Sequence, residues 1–315
     1  MLQATEQLQL AREDLLWAGL SFPILSEEEL AHDRAATGDK VHFHRGVWWM
    51  QVRRFFCLPC FGYSQVDHRE SWPHPGRALA GFMHLSAPNS PSNGIYRAIV
   101  RDRLDLYSIQ RLSTNRRHWV RRALTHLTVR PVEHLDDLLT DGYEVYLSCH
   151  ERVRWGKSRC DRQVFSAWIT AVFRRPERLV LGAYSANRLV AFMLPHAVGN
   201  MVTPSYIASH TDSLKYGPND ALYHTFLCIA RQTPGREMAV FGPVSTNSLL
   251  DQFKMKYGSL TQFASYTWIN PLVRTMFNRW VRPRYPWVGG DSPETTLAPG
   301  HRGPSLVIGR DHTDG

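Results

Sequence analysis

Between Leu179 and Ser259 the chain carries an order of elements that few folds accommodate. Leu179-Val180-Leu181-Gly182-Ala183-Tyr184 reads as a strand, and the polar turn Ser185-Ala186-Asn187-Arg188 leads into a second apolar run, Leu189 to Leu194. A third extended segment covers Thr203 to Thr211. Pro218 then opens a helix, because its fixed φ and missing N–H suit the first helical position. Leu222, Phe226, Ile229 and Ala230 give that helix one apolar face. Pro234-Gly235 ends it, a strand Glu237–Phe241 follows, and a capped helix runs from about Thr246 to Tyr257 before Gly258. This is an α/β module with a mixed, twisted sheet. The first three strands are expected as an antiparallel meander. Glu237–Phe241 is expected parallel to Thr203–Thr211, since the intervening helix supplies the crossover.

The flanks extend this core. Residues 1–20 read as an amphipathic helix, and Ser26-Glu27-Glu28-Glu29-Leu30 starts a short helix with a capping box. Val41 to Phe61 is strongly β-like, and either extends the sheet or forms a partner half of its own. Ala87 to Gly94 is the clearest loop, and Ile95–Leu106 reads as one strand or two short ones. Ser113 caps a basic helix whose buried stripe is expected at Val120, Ala123, Leu124 and Leu127. Val129–Val132 reads as a short strand. Leu135–Arg152 and Asp161–Arg174 read as helices joined by the basic link Arg154–Arg159. After a β-like run, Leu260–Ile269, a helix is expected from Pro271 to about Val281 and disorder from about Gly289. The expected division is an N-terminal module (1–94), a catalytic core (95–285) and a tail (286–315).

Composition narrows the class. Charged residues at 21% and hydrophobic ones at 43% are those of a globular chain. No apolar run approaches the ~20 residues that span a bilayer. The N-terminus lacks the uninterrupted apolar stretch of a signal peptide. Five scattered cysteines fit reduced thiols, so the expectation is a soluble cytoplasmic protein without membrane insertion. The formal charge of +9 favours anionic partners.

Three segments carry a family resemblance. Asn115-Arg116-Arg117-His118-Trp119-Val120-Arg121-Arg122-Ala123, Tyr216-Gly217-Pro218-Asn219-Asp220-Ala221-Leu222 and Asp251-Gln252-Phe253-Lys254-Met255-Lys256-Tyr257-Gly258 lie in one order over residues 95 to 270. They resemble, respectively, the basic opening helix, the central helix start and the Phe-Lys…Gly ending of Fem-type aminoacyl transferases. These form a branch of the GNAT acyltransferase superfamily. The resemblance implies a GNAT-like acyltransferase core with a strand-containing N-terminal extension, moving an acyl or aminoacyl group onto an amine-bearing acceptor. The donor implied is acyl-CoA, an acyl carrier protein or aminoacyl-tRNA, so tRNA or an acidic carrier is an expected partner. A binding protein that kept the fold without catalysis is the alternative from another class.

The chemistry asks for particular groups. In the GNAT superfamily the loop at Lys215, Tyr216, Gly217 and Asn219 would cradle donor phosphates on backbone amides at a helix start. Here one glycine and Pro218 replace the usual glycine-rich pattern, so acyl-CoA binding should be weak. Lys254 matches the family lysine near the donor carbonyl, where a cation stabilises the developing oxyanion. Its stem should run beside the apolar face that includes Leu250, whereas Lys256 should face solvent. His210 and Tyr206 are the candidates to take the amine's proton, with Asp220, His224 and His196 behind them among fifteen histidines. Tyr257 is expected to pack in the core rather than donate a proton. Arg117 and Arg121, four apart on one helix face, are expected with Arg116 and Arg122 to clamp phosphates or carboxylates. Cys57-Leu58-Pro59-Cys60, followed by His68 and His74, has spacings unlike common zinc fingers and reads as buried reduced thiols rather than a metal site.

Overall fold

The computed structural model describes residues 17, 19–53, 55–153, 161–175 and 178–273. The expected helix at 1–20, the basic link at 154–159, most of the helix from 271 and the tail lie outside them. Pro271–Val273 forms a single 3-10 turn.

Thirteen strands make one mixed sheet. In chain order they are β1 (Ile24–Leu25), β2 (Lys40–His44), β3 (Val47–Arg53), β4 (Phe56–Pro59), β5 (Gln65–Val66), β6 (Gly81–Ser86), β7 (Gly94–Arg101), β8 (Thr128–Pro131), β9 (Leu181–Ser185), β10 (Arg188–Val198), β11 (Met201–Ser209), β12 (Met238–Pro243) and β13 (Ser259–Ile269). The sheet runs β2-β3-β4-β6-β13-β7-β12-β11-β10-β9-β8, with β1 beside β10 and β5 beside β6. The strands of residues 40–86 therefore extend the core sheet.

Local sequence explains the meander. β9 and β10 pair from Arg188↔Ser185 across a two-residue turn in which Ala186 takes φ 53°. β10 and β11 pair from Val198↔Met201 across Gly199-Asn200, with Gly199 at φ 58°. Positive φ at the first turn residue matches the twist of the strands it joins. The crossover helix then returns the chain so that β12 runs parallel to β11, as expected.

Helices cover both faces. Helix α1 (Glu27–Ala36) has the expected capping box between Ser26 and Glu29. Helices α2 (Thr114–His126) and α6 (Pro218–Gln232) pack on one face, over a core that includes Val120, Ala123, Leu222, Phe226 and Tyr257. Helices α4 (Asp141–Val153) and α5 (Arg162–Phe173) pack on the other, around Tyr146, Phe165 and Phe192. The span read as one helix from Leu135 divides at Thr140 into α3 (Leu135–Leu139) and α4. The Thr140 hydroxyl donates to the Asp136 carbonyl, and its ψ of −87° turns the chain out of the helix. The helix expected to Tyr257 is the shorter α7 (Ser248–Lys254), capped by Asn247. Leu124, expected in the buried stripe of α2, is 38% exposed. The seam is completed instead by Arg116, one turn before Val120, which is buried.

Candidate functional site

β11 and β12 pair only at Met201↔Met238 and Val202↔Ala239, and beyond those residues the two strands no longer bond to each other. The stretch of β12 from Val240 to Pro243 keeps its other neighbour, β7. A notch therefore opens in the sheet beside Gly242.

Lys254 faces Gly242. Its Nζ lies 3.6 Å from the position a Cβ on Gly242 would occupy, and Gly242 itself takes φ 104°. The lysine is 9% exposed, and burial pushes its ammonium below the usual lysine range while the Asp251 carboxylate pulls the other way. Among the described residues its ammonium makes no hydrogen bond or ion pair. Such a group is costly to bury. Helix α7 thus has its charged side turned inward: Asp251 and Lys254 are buried, while Leu249 and Leu250 are 74% and 43% exposed. This corrects the expectation that Leu250 marks an apolar face. Asp251 is held by Ser245, whose backbone amide and hydroxyl both donate to its carboxylate, at 2.8 and 3.1 Å. Lys256 is exposed, as expected.

The start of α6 is tightly built. Gly217 has φ 72°, and an added Cβ there would sit 3.4 Å from the Ala123 side chain, so this position needs glycine. The Gly217 amide donates to Leu214, and those of Asp220 and Ala221 donate to the Gly217 carbonyl. Pro218 has no amide hydrogen, so among these residues only the Asn219 amide is left for a ligand. Asp220 accepts from Arg116, with which it forms a buried ion pair, and from the Tyr257 hydroxyl at 2.6 Å. The Arg116 guanidinium also sits 5.4 Å from the ring centres of Phe253 and Tyr257. Arg116 is therefore an interior strut and not part of an arginine clamp. Tyr257 is buried, as expected.

The remaining cations lie on the surface around this helix start. Arg117 donates to Gln110 and Thr114, and Arg122 covers the Trp119 ring. Lys215 lies 5.1 Å over the Tyr216 ring, and Arg121 is exposed on α2.

The candidate proton acceptors do not gather at Lys254. Tyr206 packs on the α4–α5 face against Trp168 and Phe192, with its hydroxyl 3.4 Å from His150 Nε2, whereas its neighbour Ile207 packs on the α6 face. His210 accepts from the Asp212 amide and lines a cavity of about 90 Å³ with Asp141, Glu144 and Arg188. His224 is buried and bonded to the Tyr107 hydroxyl at 2.8 Å, and burial lowers it to about 4. His196 is buried beside Ser205, and burial lowers it to about 3. Cys57 and Cys60 are buried free thiols, each pushed up to about 12 by burial. Among the described residues no cluster of histidines, cysteines and carboxylates has the shape of a metal site.

Sequence reasoning missed Gly242, Ser245 and Asp251. The signal for the first was present: a glycine at the end of an apolar strand marks a close approach.

Solved structures share this architecture. FemX matches over 86% of this chain and 98% of its own, at 13% identity and a TM-score of 0.51. The C-terminal domain (DUF2156) of a protein named as a lysylphosphatidylglycerol synthetase of Agrobacterium fabrum matches over 84% and 92%, at 11% identity and 0.52. A conserved protein of unknown function from Bacteroides thetaiotaomicron matches over 82% and 96%, at 13% identity and 0.54. No family model matches the sequence, and no curated protein matches it by sequence. The mixed α/β fold of this chain is thus similar to that of FemX over nearly the whole of FemX.

Proposed function

We propose that the chain is an acyltransferase that moves an acyl or aminoacyl group from an ester or thioester onto an amine, with Lys254 at the reacting carbonyl. The observation that carries this reading is Lys254, largely buried and without a hydrogen bond or ion pair among the described residues, beside Gly242 where β11 and β12 part. A fold gains no stability from such a group, whereas a developing oxyanion supplies the missing negative charge.

In this reading the acceptor arrives as the neutral amine, and its nitrogen attacks the donor carbonyl. Negative charge grows on the carbonyl oxygen against Lys254. The C–N bond is made, the C–O or C–S bond breaks, and the amine's surplus proton leaves with the departing alcohol or thiol or to water. Gly242 leaves space for the carbonyl, and Ser245 fixes Asp251 so that its carboxylate keeps the lysine charged. Tyr206 packs against Trp168 and Phe192, and His210 lines a cavity with Asp141 and Glu144, so in this reading positioning and oxyanion stabilisation carry the rate.

The donor is proposed to be held by side chains. With one free amide at the start of α6, a pyrophosphate has no cradle there. Arg117, Arg121 and Lys215, with Tyr216 and Asn219 beside them, offer instead a surface for the phosphates of aminoacyl-tRNA or the acidic face of an acyl carrier protein.

The test presents purified protein with labelled aminoacyl-tRNA, acyl carrier protein thioester and acetyl-CoA, each with a pooled extract of small amines. Label moving onto an amine with the wild type but not with Lys254→Met is the expected result. No consumption of any donor would overturn the proposal.

A further inference from the structure

A second cavity lies at the far side of the sheet. It holds about 270 Å³ and is lined by His44, Arg45, Trp72, Phe82, Leu79 and Trp268, among others. Its floor is the cross-strand pair Trp268↔Phe82 of β13 and β6, whose rings lie 5.9 Å apart and 25° from parallel. Trp72 forms the wall, 5.1 Å from Phe82 and 6.2 Å from Trp268. Behind Phe82, Trp49 packs edge-on at 5.9 Å, so the floor cannot sink.

The loop that carries Trp72 is fastened to its surroundings. The Ser71 hydroxyl donates to the Arg45 carbonyl at 2.8 Å, and the Asn270 amide donates to the Leu79 carbonyl at 2.9 Å. The Trp72 indole donates to the His68 carbonyl. These bonds preform the cavity, and a preformed cavity does not spend binding energy on ordering itself.

Its chemistry is one-sided. Flat aromatic faces line it, and among the described residues no carboxylate does. Arg45 is exposed at its edge, on the tight turn between β2 and β3, and its guanidinium has no hydrogen bond or ion pair among the described residues. A cavity of about 150 Å³ holds a benzene ring, so this one has room for a fused bicycle.

We propose that this cavity is a binding site for a planar aromatic carboxylate, with the rings stacked against Trp72 and the Phe82–Trp268 pair and the carboxylate paired with Arg45. The reading is independent of the acyl-transfer chemistry, because Lys254 plays no part in it.

Titration calorimetry tests it with 2-naphthoate, 2-naphthamide, 2-naphthylmethylammonium and decanoate as probes. Saturable one-site binding of 2-naphthoate is expected, with the ammonium probe binding far more weakly. Arg45→Gln alters an exposed turn residue, so the fold is retained. It should weaken 2-naphthoate by about tenfold or more and leave 2-naphthamide unchanged, the fold-change of losing a charge-assisted pair. Trp72→Ala should weaken both aromatic probes together. No saturable 2-naphthoate binding, an Arg45→Gln variant that binds it as well as wild type, equal affinity for the ammonium probe, or tighter binding of decanoate would each overturn the assignment.

Discussion

Arg116 and Asp220, 104 residues apart in sequence, form an ion pair inside the protein with side chains only 6% and 11% exposed. The pair joins α2 to α6, and the Tyr257 hydroxyl brings in the chain just after α7. Three elements that frame the notch thus share one carboxylate. Removing it strands a buried guanidinium. Asp220→Ala is expected to cost about 3–5 kcal/mol in urea denaturation. The double variant Arg116→Met with Asp220→Leu should cost less than Asp220→Ala alone, since no charge is left unpaired. A loss below about 1 kcal/mol for Asp220→Ala would show that the pair is not structural.

Lys254 makes the opposite demand. Lys254→Met keeps the stem and removes a buried charge, so melting temperature should hold or rise. Turnover in the transfer assay should fall about a hundredfold, the usual cost of one oxyanion contact. Lys256→Met, on the exposed side, is the control. Equal turnover for the two folded variants would remove Lys254 from the chemistry.

Two buried histidines make stability depend on pH. Burial holds His196 at about 3 and His224 at about 4, below the usual 6.5. Between those values the unfolded chain binds protons that the folded chain refuses. Their contribution is therefore fully present above pH 6.5 and is lost as pH falls toward 4. The slope should approach ~1.4 kcal/mol per pH unit for each histidine. Urea melts at pH 7 and pH 5 measure it, and His224→Phe should flatten the profile. A wild-type stability that is level from pH 7 to 5 would contradict the burial of both rings.

The start of α6 sets the donor's salt response. Acetyl-CoA should bind weakly at physiological salt, because Asn219 alone offers an amide there. Micromolar affinity by calorimetry would refute this. A tRNA or carrier donor should instead lose affinity steeply with salt, with Arg121→Gln reducing the logarithmic slope by about one.

The meander, the crossover and the parallel placement of β12 were readable because apolar period and turn residues are local properties. The helix faces were harder. On α2 the buried seam runs Arg116, Val120, Ala123 and Leu127, at spacings of four, three and four. Its first member is an arginine, which any hydropathy reading assigns to the surface, so Leu124 was drawn inward in its place. On α7 the leucines suggested the wrong face, because Asp251 is buried on its bonds to Ser245 and Lys254 is buried beside Gly242, neither of which hydropathy registers. The aromatic cavity left no trace in the sequence, since residues 44–45, 72–82 and 268–270 meet only through sheet register.

The position of β13 has a consequence for how the protein is made. It pairs with β6 on one side and β7 on the other, and the sheet order gives those two strands no other junction. Residues 40–86 and the crossover region are synthesised long before the strand that joins them. Until β13 is in place the chain holds two incomplete sheets with open edges, so joining them waits on a strand made after both.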